Sequence, residues 1–332
     1  MVHCQACQLS ELRYYIRFSG EKNLKHFPQV AASLEKSGVL VYSRKETAVV
    51  KEAGAAGLYD FLIDHLEAEQ LSFRTDSSGW RSIHDLPQVI ESQWIDEVIA
   101  DQAVICYKQP IVDKEEQIVA HEILARFHGK SGEIISPAQA FAAAKRRNRL
   151  YALDRMCRMA AVRSAAQLEG KVFINFIPTS IYSPEHCLKS TVHLANELGI
   201  APSQFVFEVV ETEEVDDIEH LKKILMYYKE KGFHYALDDV GEGFSTVGML
   251  EELAPHYMKL DRKYAHGIAE DPGKQRAAEA ILQAALKVGA VPLAEGVEER
   301  EDFTWLRNSG YQLFQGYLFG KPAPFKSCIC QS

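Results

Sequence analysis

The stretch FHYALDDVGEGFS, residues 233–245, contains the pattern that decides the fold of this chain. An apolar run of the β type ends in two adjacent aspartates, Asp238 and Asp239, and glycines at 241 and 243 follow directly. A buried strand that ends in paired carboxylates, before a loop that lets the backbone come close, is typical of a divalent-cation site. Because an Asp-Asp pair before glycines is also ordinary turn chemistry, its weight depends on the other strand ends.

From Ala103 onward, short runs of this kind alternate with helical segments. Apolar spacing marks the helices, and glycines such as Gly232, Gly289 and Gly310 stand just past their ends. Eight runs separated in this way predict a TIM-like (β/α)8 barrel. The first two runs are joined by about ten residues, too few for a helical crossover, so we expect an antiparallel first strand. The runs are 103–107, 118–124, 171–177, 204–210, 233–239, 257–261, 291–297 and one near 312–314.

In a barrel of this type the chemistry lies at the carboxyl ends of the strands, and polar side chains recur there. So many carboxylates at one mouth would repel one another without cations, and hard oxygen ligands favour Mg²⁺ or Mn²⁺ over Zn²⁺. Adjacent aspartates can bridge two ions ~4 Å apart, which suits hydrolysis of a phosphoester by in-line attack. The polar residues are Glu122, Asn175, Glu208, Glu211, Asp238, Asp239, Lys259, Glu295 and Gln315.

These residues also have plainer interpretations. Any single strand-end acid is more often a turn residue or a helix cap, and this alternative weakens only because so many acids share one end. Lys259 is harder to explain in that way, because a lysine inside the apolar run 257–260 is costly without anionic partners. The basic run at 145–149 (KRRNR) is expected to be a solvated helix face, with phosphate binding as the minority alternative.

Before the barrel, residues 1–75 show the order β-α-β-β-α-β, which suggests a small α+β domain of the ferredoxin-like type. It contains no motif that carries chemistry, and we expect it to be regulatory. A flavin photosensor shares this order, but its characteristic residues are not found here, so no flavin is inferred. The turn-rich residues 76–88 open a linker and helix that reach residue 102. The barrel is then predicted over 103–325, followed by a tail over 326–332.

The composition limits the partners. A net charge of −9 argues against a general nucleic-acid surface, so DNA is not expected, although metal ions could offset the charge of a small anionic ligand. There is no apolar run long enough to span a membrane and no cleavable leader, so we expect a cytoplasmic protein without membrane contacts.

The seven cysteines are expected to be mostly reduced thiols. Cys4, Cys7, Cys328 and Cys330 could complete a tetrahedral zinc site if the two termini met in space. The alternative, free surface thiols on frayed termini, is favoured because nothing in the sequence brings the termini together.

Over residues 103–324 the chain resembles the EAL family of cyclic-di-GMP phosphodiesterases. The segment HEILARF (121–127) is similar to the family's signature, and the order and spacing of the other segments fit as well. These segments are YKQPIVD (107–113), NFIP (175–178), FEVVET (207–212), LDDVGEGFS (237–245), MKLDR (258–262), AEGVEE (294–299) and FQGYLFGKP (314–322).

The resemblance implies hydrolysis of cyclic di-GMP to linear pGpG by water activated on two Mg²⁺ or Mn²⁺ ions, in a barrel with an antiparallel first strand. It also implies a homodimer. The metal ligands implied are Glu122, Asn175, Glu208, Asp238 and Asp239. Catalysis is implied for Lys259, Glu295 and Gln315, substrate binding for Gln109, Arg126 and Asp154, and loop stabilisation for Glu211 and Glu298.

The chain departs from the family at three places. The signature reads Glu-Ile-Leu rather than Glu-Ala-Leu, and Arg146 and Arg149 stand where the family usually has Glu and Gly. Residues 240–245 read VGEGFS, which alters the loop after the aspartates. Retention of every metal ligand and of Lys259 favours an enzyme. The altered loop leaves a second possible function, that of a receptor that binds cyclic di-GMP without cleaving it and signals through the N-terminal domain. A regulator that binds no nucleotide is the third class.

Overall fold

The computed structural model describes residues 9–76, 78–209, 218–241 and 246–325 of the 332-residue chain. They form two compact units. The first unit runs up to Ala103 and also includes Phe127–Leu153, and the second combines Val104–Arg126 with the chain from Asp154 onward.

The first unit contains a five-stranded antiparallel sheet in the order β2-β3-β1-β4-β5. Its elements alternate as the sequence predicts, and Arg81 and Ser82 add an edge strand. The strands are β1 (Arg13–Phe18), β2 (Leu40–Arg44), β3 (Thr47–Lys51), β4 (Leu71–Arg74) and β5 (Arg81–Ser82). The helices are α1 (Glu21–Lys36), α2 (Glu52–His65), α3 (Leu86–Glu91) and α4 (Trp94–Ala100). A small antiparallel α+β domain is thereby confirmed.

One face of this sheet forms the core of the first unit. Every second residue of β1 is fully buried, beginning with Tyr14, and these side chains pack with α1 through Val30 and Leu34 and with α2 through Leu58 and Leu62. The helix expected over 89–100 is interrupted by Ser92 and Gln93, which separate α3 from α4.

The basic run at 145–149 is only partly the solvated helix face that the sequence predicts. Lys145 and Arg146 are exposed, as a solvated helix face requires, but the Arg147 side chain is fully buried and Arg149 is mostly buried. The guanidinium of Arg147 lies 2.7 Å from Glu52 and 2.7 Å from Asp96. Burial of an arginine is tolerated here because two carboxylates and the carbonyl of Val89 accept its N–H groups. The solvated interpretation is wrong at this position.

The second unit contains a closed barrel of eight strands, which confirms the predicted fold. Around the barrel the order is β6-β14-β13-β12-β11-β10-β9-β7, and β7 pairs again with β6. The first strand, β6, is antiparallel to β14, whereas β7 and the strands from β9 to β14 run parallel to one another. The barrel strands are β6 (Val104–Val112), β7 (Ile118–His128), β9 (Lys171–Phe176), β10 (Phe205–Val209), β11 (His234–Val240), β12 (Tyr257–Leu260), β13 (Val291–Ala294) and β14 (Leu313–Gln315).

The remaining elements connect these strands. Two short strands are β8 (Ile134–Ile135), which pairs with the end of β7, and β15 (Ala323–Pro324), which pairs with β6. The helices are α5 (Pro137–Arg146), α6 (Leu150–Ala165), α7 (Pro184–Cys187), α8 (Lys189–Glu197), α9 (Ile218–Glu230), α10 (Val247–Leu253), α11 (Arg262–Ala265), α12 (Pro272–Lys287) and α13 (Arg300–Ser309). Within the described ranges, none of the helices has the length and apolar character needed to cross a membrane.

Three cysteines of the second unit, Cys106, Cys157 and Cys187, are free thiols. The four terminal cysteines of the hypothetical zinc site, Cys4, Cys7, Cys328 and Cys330, lie outside the described residues. That site therefore stays a hypothesis.

Candidate functional site

The two-residue period of a β-strand brings the sequence-predicted residues together. An apolar layer inside the barrel consists of Ile111, Ala120, Phe173, Val206, Ala236, Tyr257 and Leu293. Side chains two positions apart point to the same face of a strand, so the residue two positions further along also faces inward. For each of the last six members of this layer, the residue two positions later in the sequence is polar. These residues are Glu122, Asn175, Glu208, Asp238, Lys259 and Glu295. The polar residues thus form the next layer, toward the carboxyl ends of the strands.

Lys259 lies at the centre of this polar layer. Its Nζ is 2.5 Å from Oε1 of Glu208, 2.5 Å from Oε1 of Glu295 and 2.9 Å from Oδ1 of Asp238. The lysine side chain is 1% exposed and that of Glu208 is 0% exposed. One ammonium group therefore holds carboxylates from three strand ends in a largely dry environment.

The charges in this layer do not balance. Burial raises the pKa of Glu208 and of Glu295 well above the usual range, even though Lys259 acts in the opposite direction. Burial also works to lower the pKa of Lys259, but Asp238, Glu208 and Glu295 outweigh it and hold that pKa well above its ordinary value. The ammonium is thus fixed in its charged form, and the carboxylates around it retain an excess of negative charge.

Asp239 stands at a distorted point of β11. The register to β12 shifts between Leu237 and Val240, so that two residues of β11 occupy the place of one. Asp239 adopts φ 50°, a left-handed conformation that is uncommon for a residue other than glycine. Burial raises its pKa to about 7, and Asp238 and Asp261 add to the effect. Backbone strain of this kind is common where a functional side chain must be placed against its neighbours.

A second set of hydrogen bonds holds Glu122. Asn175 donates from Nδ2 to Oε1 of Glu122 over 2.8 Å, and Gln315 donates from Nε2 to Oε2 over 2.6 Å. The same amide of Gln315 is 3.1 Å from Oε1 of Gln109, which in turn donates to the carbonyl of Gly320. The side-chain oxygen Oε1 of Gln315 is buried without a hydrogen-bond partner among the described residues. An acceptor is therefore still available beside Glu122.

Arg126 and Asp154 differ from the residues of the polar layer in their contacts. Arg126 is four positions beyond Glu122 on β7 and so shares its face, about 13 Å further along the strand. Its guanidinium packs over the ring of Tyr107 at 5.2 Å and donates to the carbonyl of Ala125. This placement leaves Arg126 at the mouth of the barrel.

Asp154 is buried, with its carboxylate already engaged. It accepts hydrogen bonds from the backbone N–H of Ile177 and from the hydroxyl of Ser180, and it pairs with Arg158. These contacts fix the loop that follows Asn175. The predicted contact of Asp154 with substrate stays a prediction, whereas its effect on the position of that loop is visible directly.

Of the two residues predicted to stabilise loops, Glu211 and Glu298, the structure describes only Glu298. Glu298 forms an ion pair of 2.8 Å with Arg262. Glu211 lies outside the described residues, as do positions 242–245 of the altered loop.

The first residues of the altered loop are described, and they show a constraint that the sequence interpretation missed. The hydroxyl of Tyr264 donates to the carbonyl of Gly241 over 2.8 Å. Gly241 has φ 116°, and a Cβ placed there would lie 2.5 Å from the ring of Tyr264, so this position requires glycine. The sequence interpretation also missed Asp261, which lies beside Asp239. Its position two residues after Lys259 could have indicated that it belongs to the site.

The donors of this site fit a divalent cation. Glu208, Asp238 and Glu295 each offer a carboxylate oxygen, and these oxygens lie within 4.8 Å of one another. Carboxylate and amide oxygens without sulfur or imidazole suit Mg²⁺ or Mn²⁺. Bound cations would also favour the ionised forms of Glu208 and Glu295, whose pKa values are raised first by burial and further by the neighbouring carboxylates.

Comparison with known proteins gives consistent matches. The model of the EAL domain family matches residues 92–322. A curated relative, the probable cyclic di-GMP phosphodiesterase PdeG of Escherichia coli K12, is 29% identical over 232 residues. That match includes 67% of this chain but only 45% of the relative, so the chain spans less than half of the length of PdeG.

Solved structures extend the comparison. A standalone EAL protein of Vibrio cholerae O395, solved with cyclic di-GMP bound, is 35% identical with a TM-score of 0.60, covering 66% of this chain and 92% of that one. Klebsiella pneumoniae BlrP1, solved as a complex with calcium and cyclic di-GMP, has a TM-score of 0.60 at 20% identity. The BlrP1 match covers 94% of this chain and 96% of that one, so it shares the fold of both units.

Proposed function

The chain belongs to the EAL domain family, and from this membership and the geometry of the site we propose that it hydrolyses cyclic di-GMP to linear pGpG with the help of divalent cations. The observation that carries the proposal is the Lys259 ammonium, which is buried against Glu208, Asp238 and Glu295 at the carboxyl end of the barrel. A buried cation among carboxylates has no evident structural need, because apolar side chains fill the neighbouring layer of the same barrel without that cost.

Five residues would hold the cations: Glu122, Asn175, Glu208, Asp238 and Asp239. Two Mg²⁺ or Mn²⁺ ions, when bound, supply an activated water and neutralise the charge that develops at the phosphorus. The protein's own contribution is to fix these ligands on adjacent strands. Asn175 and Gln315 hold both oxygens of Glu122, so its carboxylate is oriented before any ligand arrives.

Lys259, Glu295 and Gln315 are the proposed catalytic residues. The Lys259 ammonium would hold the attacking water in line with one phosphorus and stabilise the negative charge of the transition state. Glu295 pairs with Lys259 and would accept a hydrogen bond from the same water. Gln315 retains a free amide oxygen for this network. Addition of one water cleaves one P–O3′ ester and leaves a terminal phosphate and a hydroxyl, which is linear pGpG.

Substrate binding is proposed for Arg126, Gln109 and Asp154. Arg126 would bind a phosphate of the dinucleotide, because its guanidinium lies on the face of β7 that carries Glu122. Gln109 already bonds Gln315 and the carbonyl of Gly320, so it would act at the edge of the reacting centre. Asp154 would act through the loop after Asn175, which it anchors.

The activity is tested with purified full-length protein stripped of metal and then supplied with Mg²⁺ or Mn²⁺ in a concentration series. We expect conversion of cyclic di-GMP to pGpG, measured by chromatography, only in the presence of metal. Calorimetry with cyclic di-GMP in parallel separates the alternatives. Binding without product at any metal concentration would identify a receptor, and absence of both would contradict the assignment to this ligand.

Metal binding has a readout that does not depend on activity. Saturating Mn²⁺ is expected to raise the melting temperature of the stripped protein, since binding at about 100 times Kd adds about 2.7 kcal/mol to the free energy of unfolding. Glu208→Gln should remove most of this increase, while Glu251→Gln, which changes an acid that pairs with Lys287 at the surface, should retain it. Calorimetric melts with and without metal measure the difference, and an equal increase in both variants would exclude Glu208 as a ligand.

The predicted homodimer, the domain boundaries and the regulatory role of the N-terminal domain stay predictions. Analytical ultracentrifugation of the full-length protein measures the first of these directly.

A further inference from the structure

The face of the five-stranded sheet that points away from its core has a distinctive chemistry. Neighbouring residues of a strand point to opposite faces of the sheet. On β1, Tyr14, Ile16 and Phe18 are buried in the core. Arg13, Tyr15 and Arg17 alternate with them and are partly or fully exposed. We call the side of the sheet that they define the outer face.

Strand register extends the outer face across the sheet. Tyr15 lies opposite Arg74 on β4 and opposite Val49 on β3, and Arg13 lies opposite Lys51. On the edge strand β2, Tyr42 pairs with Val49 and Arg44 pairs with Thr47. The outer face therefore collects five cations on four strands: Arg13, Arg17, Arg44, Lys51 and Arg74.

The charge of this face is opposite to that of the chain, whose net charge is −9. Asp76 lies at one edge, where it accepts hydrogen bonds from the hydroxyl of Tyr15 and the backbone N–H of Arg13. Within the described residues, the side chains of Arg13, Arg17 and Arg44 form no ion pair with a carboxylate. Their guanidinium groups are thus available to an anionic partner.

Aromatic rings are interleaved with these cations. The guanidinium of Arg17 lies 3.7 Å from the ring centre of Trp80, and that of Arg74 lies 3.9 Å from the ring centre of Tyr15. Tyr42 and Trp80 are 46% and 36% exposed. Stacking on a ring fixes the plane of each guanidinium, and that of Arg74 is held further because its Nη1 donates to the carbonyl of Thr75. A guanidinium fixed in this way can present its remaining N–H groups to a phosphate.

We propose that the outer face binds single-stranded nucleic acid, with phosphates at the arginines and unpaired bases against the rings of Tyr15, Tyr42 and Trp80. An open sheet with rings and cations offers stacking surfaces to bases that are free of a duplex. The net charge of the chain describes its average surface, whereas phosphate contacts depend on a local cluster of cations.

Two other anionic partners fit this face less well. A lipid surface is bound through protruding aliphatic or aromatic side chains, but Val49 in the middle of the outer face is fully buried. An acidic polypeptide would satisfy the arginines and leave the rings without a function. The combination of stacked guanidinium groups and exposed rings therefore favours nucleic acid.

The test uses the full-length protein and two fluorescein-labelled oligonucleotides of about 12 nucleotides, oligo-uridine and oligo-thymidine, a length within the range that one such surface covers. Fluorescence anisotropy should show saturable binding that weakens as salt rises from about 50 to 200 mM. The double variant Arg17→Gln/Arg74→Gln should weaken binding by at least about tenfold. Trp80→Leu, which keeps every charge, should also weaken it by about tenfold, because loss of one stacked base has an effect of that size.

The matched control is the double variant Lys22→Gln/Lys25→Gln, which also removes two charges but on the exposed side of α1. It should bind as the native protein does, and thermal melts confirm that all variants are folded. Binding of either oligonucleotide supports the proposal, and the stronger one distinguishes RNA from DNA. Absence of saturable binding, equal loss in the control, or equally effective competition by polyglutamate or phosphatidylglycerol vesicles would overturn it.

Discussion

Replacing Lys259 by methionine is expected to lower the turnover of cyclic di-GMP by about a thousandfold, the loss found when one fixed charge donor to a transition state is removed. Methionine keeps the volume of the side chain and removes only the charge and the donors. The Nζ of Lys259 contacts Glu208, Asp238 and Glu295, and it is the one cationic group among the six residues that form the described polar layer. The loss should appear in kcat rather than in KM, because the ammonium acts on the reacting water and phosphate.

Lys287→Met is the matched control, since it removes the same group from a side chain that is 71% exposed and paired with Glu251. Its kcat should equal that of the native protein. Binding of Mn²⁺ to Lys259→Met, measured by the rise in melting temperature, should persist because the carboxylates remain. A kcat within about tenfold of the native value would contradict the catalytic role and would assign Lys259 to charge balance alone.

Much of the barrel and its polar layer follows from one regularity of the sequence. An apolar residue and a polar residue two positions later recur on successive strands, as in Ala236 with Asp238 and Tyr257 with Lys259. A strand has a period of two, so this spacing places the pair on one face, and parallel strands bring their carboxyl ends to one mouth. The short connection between β6 and β7 likewise determined the antiparallel first strand.

Contacts between distant residues could not be predicted in this way. The hydrogen bond from Gln315 to Gln109 joins residues 206 positions apart, and no local pattern specifies it. The left-handed conformation of Asp239 depends on a register shift between two strands, which only the folded sheet reveals. Local patterns predict faces and ends, whereas tertiary contacts decide which partners each side chain meets.

Arg147 is the clearest example of a side chain whose partner the sequence hides. In a run of basic residues it resembles its exposed neighbours, yet its partners Glu52 and Asp96 lie 95 and 51 positions away. Arg147→Ala is expected to lower the free energy of unfolding by about 3–5 kcal/mol, because it leaves the buried carboxylate of Glu52 without its cation and leaves Asp96 with Arg149 alone. This corresponds to a fall of about 10 °C in the melting temperature of the cooperative unit that contains it.

Arg146→Ala is the control, because it removes the same side chain one position earlier from an exposed site, and surface changes of this kind stay within about 0.5 kcal/mol. Differential scanning calorimetry measures both variants. A fall of less than about 2 °C for Arg147→Ala would show that water reaches the two carboxylates and that the pair contributes little.

A second comparison separates the charge of Arg147 from its packing. If the loss comes mainly from the stranded carboxylate of Glu52, then Glu52→Gln, added to Arg147→Met, should restore a large part of the stability lost in Arg147→Met alone, while Asp96 keeps its pair with Arg149. The reason is that replacement of both members of a buried ion pair by apolar or neutral residues is often tolerated, whereas removal of one member is not. The non-additivity of the two changes measures the coupling between Arg147 and Glu52 directly. Purely additive effects would instead assign the stability to the packing of the Arg147 stem, and the ion pairs would then be incidental to the fold of the first unit.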